Sequence, residues 1–264
     1  MNSHPIDIFR LAAGLFFIVV SAVASFVYGL KLEKDLLIGA LRTFAQLFTM
    51  GYVLSFVFGL DLAWVVITCF IFMTCFAAWI IRGRVKEHEI PYLMPTLGFM
   101  AVAYLLLTAF VSGIIVGVEP WWSPRYFITL GGMIIGNSTT AMAIALERLF
   151  SDFRGKRSEV EMLLCLGADY KEASAEILRN AMRAGMIPSI NSMMGVGIVF
   201  IPGMMTGQIL GGADPSLAIR YQIVVMLMLT GSTAIGSLIA VLIARKLSFG
   251  TAQQLLIHPA KTGK

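Results

Sequence analysis

The run LAWVVITCFIFMTCFAAWII, residues 62–81, holds 20 consecutive positions without a charged side chain and stops at Arg82. At about 1.5 Å of rise per residue, a helix of that length covers about 30 Å, the thickness of a bilayer's hydrocarbon core. Inside hydrocarbon every backbone N–H and C=O must find its partner within the segment, so a lone run of this kind has to be helical. Six further apolar stretches flank it: Ile8–Leu30, Leu36–Leu60, Leu93–Val118, Tyr126–Leu149, Met186–Leu210 and Ala218–Ile243. Together they predict an all-α, polytopic membrane helical bundle of about seven transmembrane helices, forming one transmembrane domain over residues 1–264.

Composition agrees. The chain is 58% hydrophobic and 13% charged, with a mean hydropathy of +0.84, whereas soluble domains sit near 45–50% and about 25%. The net charge of +5 comes from short clusters between apolar stretches, which excludes a nucleic-acid patch and leaves the lipid bilayer as the surrounding partner. Cys69, Cys75 and Cys165 have neither disulfide nor metal-site spacing.

Charge distribution gives orientation. All but three of the 20 Lys and Arg residues fall on one side when loops are taken alternately, and the exceptions are Arg10, Arg125 and Arg220. The positive-inside rule then puts the N-terminus outside and the C-terminus in the cytoplasm. A cleaved signal peptide is the rival reading of the first stretch, since Ala22-Val23-Ala24 follows an apolar run, but cleavage would place the basic majority on the wrong face. Trp121, Trp122 and Tyr126 suit an external aromatic belt.

Between the fifth and sixth stretches, Ser158–Pro188 is the cytoplasmic loop with internal order. Ser158-Glu159-Val160-Glu161 fits a capping box, Val160, Leu163 and Leu164 give an apolar stripe, and Gly167 ends a first short helix. Asp169 with Glu172 caps a second, carried on by Ala173, Ile177, Ala181 and Met182, and Pro188 marks entry to the sixth span. An amphipathic connector lying on the lipid surface would show the same pattern. Glu161-Met162-Leu163-Leu164-Cys165-Leu166-Gly167 resembles the coupling loop of ABC importer permeases, but Pro188 lies 21 positions past Gly167, further than that motif's proline.

The chain more specifically resembles the FetB/YbbM-type ABC transporter permeases, a family linked to iron export that includes plant aluminium-tolerance permeases. The resemblance rests on Leu32-Glu33-Lys34-Asp35, Arg42 with Gln46-Leu47, Gly51-Tyr52-Val53-Leu54, Gly132-Met133-Ile134 with Gly136-Asn137, and Leu166-Gly167-Ala168. It continues through Ala173-Ser174-Ala175, Ile177-Leu178-Arg179, Pro202-Gly203-Met204-Met205, Asp214-Pro215 and Tyr221-Gln222-Ile223. It implies a permease homodimer in a bacterial inner membrane, working with two copies of a separate ABC ATPase that holds the ATP-Mg. The loop residues it marks for ATPase coupling are Glu161, Leu164, Gly167, Ala168, Lys171 and Arg179. It implies export of iron or another metal ion; a nucleotide sugar or other solute is the alternative cargo.

The residues themselves are consistent with a separate energy source. No Gly-x-x-x-x-Gly-Lys-Ser/Thr string occurs, so this chain has no P-loop for ATP and is not expected to be an enzyme or to bind a cofactor. No ionisable residue stands at the centre of a stretch, which weakens the alternative of a gradient-driven carrier. Neutral polar residues supply the candidate translocation path instead: Gln46, Asn137 and Asn191, with Met204 and Met205 beyond a gate or hinge at Pro202-Gly203. The competing role for such groups is interhelical hydrogen bonding. Methionine thioethers favour Cu(I), so the 16 Met residues do not themselves point to iron, and no metal ligands are assigned. His4, His88 and His258 lie outside the stretches with no zinc motif, against an intramembrane enzyme. A scaffold that merely docks a partner through the loop is the third class.

Overall fold

A computed structural model of the chain describes residues 13–60, 62–85, 87 and 90–257. The start of the first stretch, with Arg10, and His4, His88 and His258 lie outside the described residues. The chain divides into two compact units, Met1–Asp61 and Leu62–Lys264.

In the first unit, α1 (Leu15–Val27) packs on α2 (Glu33–Leu60). Their turn is held by Ser25, whose hydroxyl donates to Glu33 Oε1 at 2.8 Å and accepts from the Leu32 N–H at 3.0 Å.

In the second unit, α3 (Ala63–Arg84) leads to α4 (Leu93–Phe110), which continues through a π turn at Val111–Ile115. There follow α5 (Pro124–Gly155), α6 (Arg157–Cys165), α7 (Tyr170–Ala173), α8 (Ala175–Gly195), α9 (Gly203–Leu210) and α10 (Pro215–Leu247). The described residues contain no strand beyond two isolated bridges. Among the described residues five helices are long and apolar enough to cross a membrane: α2, α3, α4 with its π turn, α5 and α10. The all-α membrane architecture is as the sequence predicts.

The centre of this unit is α5, which packs against α3, α4, α8 and α10. Phe127, Ile134, Met142, Leu146, Phe150 and Phe153 on it are fully buried. Close approach depends on small residues: the Phe70 ring of α3 lies over Gly131 and meets the Phe127 ring at 5.5 Å. With 32 residues, α5 is about 48 Å long, so about 18 Å of it projects beyond the hydrocarbon core. Its C-terminal end meets that of α10, where the rings of Phe153 and Phe249 lie 5.6 Å apart. At the same end Arg154 pairs with the buried Glu87 at 3.1 Å.

Three local expectations differ. Ser158 does not cap a helix: α5 runs to Gly155 and α6 starts at Arg157 with Lys156 between them, so Ser158 is already inside the first turn. Glu161 pairs with Arg157 at 2.6 Å instead of closing a capping box. Pro188 is not a helix boundary, because α8 continues through it to Gly195. Its missing N–H removes the i→i−4 bond to the Ala184 carbonyl, a loss the packing of α8 against α5 and α10 outweighs. Finally, the sixth stretch is not one helix. The chain leaves α8 at Gly195, turns through Val196–Ile201 with Gly197 at φ +83°, and re-enters a helix at Gly203, with Pro202 as the residue before its first turn. The break expected at Pro202-Gly203 therefore starts six residues earlier, where the turn closes on itself through the Gly197 N–H to the Phe200 carbonyl, 2.9 Å.

Candidate functional site

That broken segment walls a cavity of about 550 Å³. One side is α5, with Met133, Gly136, Asn137, Thr140 and Ala141. Pro188, Ser189 and Ser192 of α8 and Phe200, Pro202, Gly203 and Met204 of the turn and α9 form the second. Gln222, Val225, Met226, Leu229 and Thr230 of α10 complete it. Among the described residues that line it, none is ionisable.

The polar groups are unequally committed. Asn137 donates through Nδ2 to the Met133 carbonyl at 3.0 Å, and Thr140 donates to the Gly136 carbonyl at 3.3 Å. These bonds run back along α5, leaving the Asn137 carbonyl oxygen available. Gln222 is 5% exposed and its Oε1 has no hydrogen-bond partner among the described residues. An unmet buried acceptor costs about 1–3 kcal/mol, so Gln222 is a lining group that gains from a polar partner in the cavity.

Of the path residues named from sequence, Asn137, Met204, Pro202 and Gly203 line this cavity. Met205 is half-buried outside the lining and Asn191 is exposed on α8. Gln46 is exposed on α2, in the other unit. Gln222 was missed as a site residue although it is an amide inside an apolar stretch, because it falls within about two turns of that stretch's end, where polar groups are common. No cluster of three His, Cys, Asp or Glu exists among the described residues.

A second site lies where α5 and α10 end. Gly167 adopts φ +95°, the Ala168 N–H reaches the Leu163 carbonyl and the Gly167 N–H that of Leu164, each at 3.1 Å. This is a Schellman closure of α6. Two residues on, Asp169 caps α7 in a complete capping box: its carboxylate accepts from the Glu172 N–H at 2.7 Å, and the Asp169 N–H donates to Glu172 Oε2 at 3.0 Å. Both local signals for this corner are as expected from sequence. Lys156 donates to Glu176 at 2.7 Å across the corner; that bond holds the Glu176 carboxyl below, and the Lys156 ammonium above, their ordinary pKa values.

Glu161, Leu164, Gly167 and Ala168 line a groove of about 840 Å³, whose other wall is Thr251–Leu255 from the segment after α10. Lys171 stands over the Tyr170 ring, 5.9 Å from its centroid, outside the groove. Arg179 is exposed further along, beside Glu176 and Arg183.

A bundle of apolar helices with a discontinuous helix walling a neutral polar cavity defines a multi-pass membrane protein. The chain belongs to the Uncharacterised protein family (UPF0014), which matches residues 8–249. It is 37% identical over 233 residues to a UPF0014 membrane protein of Synechocystis, covering 87% of this chain and 88% of that one. It is 33% identical over 262 residues to the "Probable iron export permease protein FetB" of Escherichia coli, covering 99% of each. Against "Protein ALUMINUM SENSITIVE 3" of Arabidopsis thaliana the identity is 31% over 247 residues, 94% of this chain and 89% of the relative. No solved structure matches the chain. The family resemblance read from its motifs is thereby borne out.

Proposed function

We propose that this chain is the permease subunit of an ATP-driven ABC exporter of the bacterial inner membrane, moving iron or another metal ion. The observation that carries it is the pairing of a neutral polar cavity walled by a broken helix with an ordered, doubly capped corner at the charged end of the same helices. FetB, the relative spanning 99% of both chains, supplies the direction and the cargo of the reading.

In this reading the chain crosses the membrane seven times, N-terminus outside, with α8, the turn and α9 as the divided sixth crossing. Two copies face each other, which covers the polar residues Asn137 and Thr140 that one copy leaves exposed. Two separate ATPase subunits grip the Ser158–Pro188 loops, hold the ATP-Mg and close on each other when ATP binds. Because α5 and α8 both lead from the corner to the cavity, a movement of the corner changes which side the cavity opens to. The neutral lining favours this over a gradient-driven carrier, which needs a titrating or charge-bearing group in its path. Thioether, hydroxyl and amide groups are weak donors for Fe(II), so the cavity passes a metal without retaining it.

The test is transport into vesicles carrying the chain with its cognate ATPase, using Fe(II), other divalent ions and an uncharged sugar solute as separate arms. ATP-dependent metal uptake is expected; equal accumulation without ATP would sink the reading. Gln222→Leu should lower ATP-dependent transport about tenfold, a change of about 1.4 kcal/mol, while the amount of folded protein stays level. Full transport by that variant would remove Gln222 from the path.

A further inference from the structure

After α10 the chain does not run off into solvent. Phe249 and Leu255 form an antiparallel bridge, the Gly250 N–H bonds the Gln254 carbonyl at 2.9 Å and the Leu256 N–H the Ser248 carbonyl at 2.8 Å. The result is a hook, Ser248–Ile257. Phe249, Leu255 and Ile257 point inward and are buried, with the Phe249 ring set between Phe153 and Tyr170 at 5.6 and 5.5 Å. Two bonds fasten the hook to the corner. Gln253 Oε1 accepts from the Tyr170 N–H at 2.9 Å, and the Arg157 guanidinium donates to the Ile257 carbonyl at 2.9 Å. Thr251, Ala252, Gln253 and Gln254 are left exposed on the groove.

The groove's surroundings describe what fits it. Met162, Leu166 and Leu256 are exposed, Leu166 at 77%. Four carboxylates of the corner are already committed, Glu161 to Arg157, Glu176 to Lys156, and Asp169 and Glu172 to each other's N–H groups, while Glu159 stays exposed in the first turn of α6. Lys171, Arg179 and Arg183 are exposed and form no salt bridge among the described residues. A complementary surface therefore offers an apolar projection flanked by carboxylates.

We propose that the hook is the second wall of the surface on which the ATPase partner docks, so that this partner touches Thr251–Gln254 as well as the α6–α7 corner. This rests on the permease reading above. The hook ties the docking site directly to the end of α10, giving a second route from the partner to the cavity wall that carries Gln222.

Two reporters separate the possibilities, both with Cys69 and Cys75 replaced by Ala. One keeps the exposed Cys165 in the corner wall; the other carries Cys165→Ser with Ala252→Cys in the hook. Maleimide labelling is timed on full-length chain in detergent, alone and with saturating cognate ATPase. Both thiols are expected to slow about tenfold or more, as at the buried centre of an interface. Protection of the Cys165 reporter alone would overturn the hook's role and leave the coupling loop standing. A complex on gel filtration with neither thiol protected, or no complex, would overturn the permease reading with it. As an independent check, Ala252→Trp, pointing into the groove, should weaken ATPase association by a similar factor while leaving the thermal unfolding of the chain unchanged.

Discussion

Gly185→Leu is expected to abolish recovery of folded protein, and Gly185→Ala to lower its thermal stability measurably. Gly185 sits on α8, buried, where a Cβ would lie 2.8 Å from the Ala141 carbonyl oxygen, 2.8 Å from the Ala145 Cβ and 3.5 Å from Ser237 Oγ. Two of these neighbours belong to α5 and the third to α10, and one is backbone, which has no rotamer to give. Even a methyl has to push α8 off α5, and overpacking of this kind costs about 1–3 kcal/mol. A leucine exceeds that and reaches the range in which single changes unfold proteins, above about 4 kcal/mol. Thermal melts by gel filtration in detergent would show it. Adding Ala145→Gly to Gly185→Ala should recover part of the loss, because it removes one of the two closest contacts and leaves the Ala141 carbonyl. Gly98→Ala is the control: nothing lies within 4 Å of its Cβ position, and helix propensity favours alanine by about 1 kcal/mol. A Gly185→Ala protein as stable as wild type would show that α8 does not pack on α5 this closely.

Sequence legibility divided along the line between local and tertiary causes. The membrane class was readable at Leu62–Ile81, since hydrocarbon imposes helix on any run that long. The corner was readable at Gly167 and at Asp169 with Glu172, because caps are made by residues two to four apart. Ser158 carried the same local signal and failed, since α6 follows α5 after a single residue and leaves no free helix start to cap. Pro188 failed for a different reason: the helix continues through it at the cost of one hydrogen bond, because residues on both sides are held by packing of α8 against α5 and α10, a tertiary cause. The break at Val196–Ile201 was displaced from Pro202-Gly203 because four apolar residues, Ile198 to Ile201, disguise an exposed turn as part of a span. The hook was invisible, resting on Phe249 between Phe153 and Tyr170 and on Gln253 reaching the Tyr170 N–H, pairs separated by 79 to 96 positions and by 83. The cavity was partly legible through Asn137 and Met204, while Asn191, chosen by the same rule of a polar group in an apolar stretch, is exposed on α8 outside the lining, and Gln46 belongs to the first unit. That rule finds polar residues; it does not find which of them meet.

Gly167→Val is expected to separate ATP hydrolysis from transport without unfolding the bundle. At φ +95° a β-branched residue is strained by about 1–3 kcal/mol, and nothing around the position resists a change, since its Cβ site has no neighbour within 4 Å. Strain at an exposed, unbraced turn is relieved by moving the turn. The two Schellman bonds, Ala168 N–H to Leu163 and Gly167 N–H to Leu164, open, and α6 re-aims relative to α7, which the Asp169 capping box holds in place. The transmembrane core does not depend on these bonds, so thermal unfolding should stay within about 0.5 kcal/mol of wild type. In vesicles with the cognate ATPase, transport per ATP hydrolysed should fall about tenfold. Gly167→Asn should retain more coupling than Gly167→Val, because asparagine enters the left-handed region at lower cost. That order, Gly above Asn above Val, follows from backbone angle and not from side-chain size, as Asn and Val are similar in volume. Equal transport per ATP in all three would show that the corner transmits nothing, and would leave the loop as a docking site only.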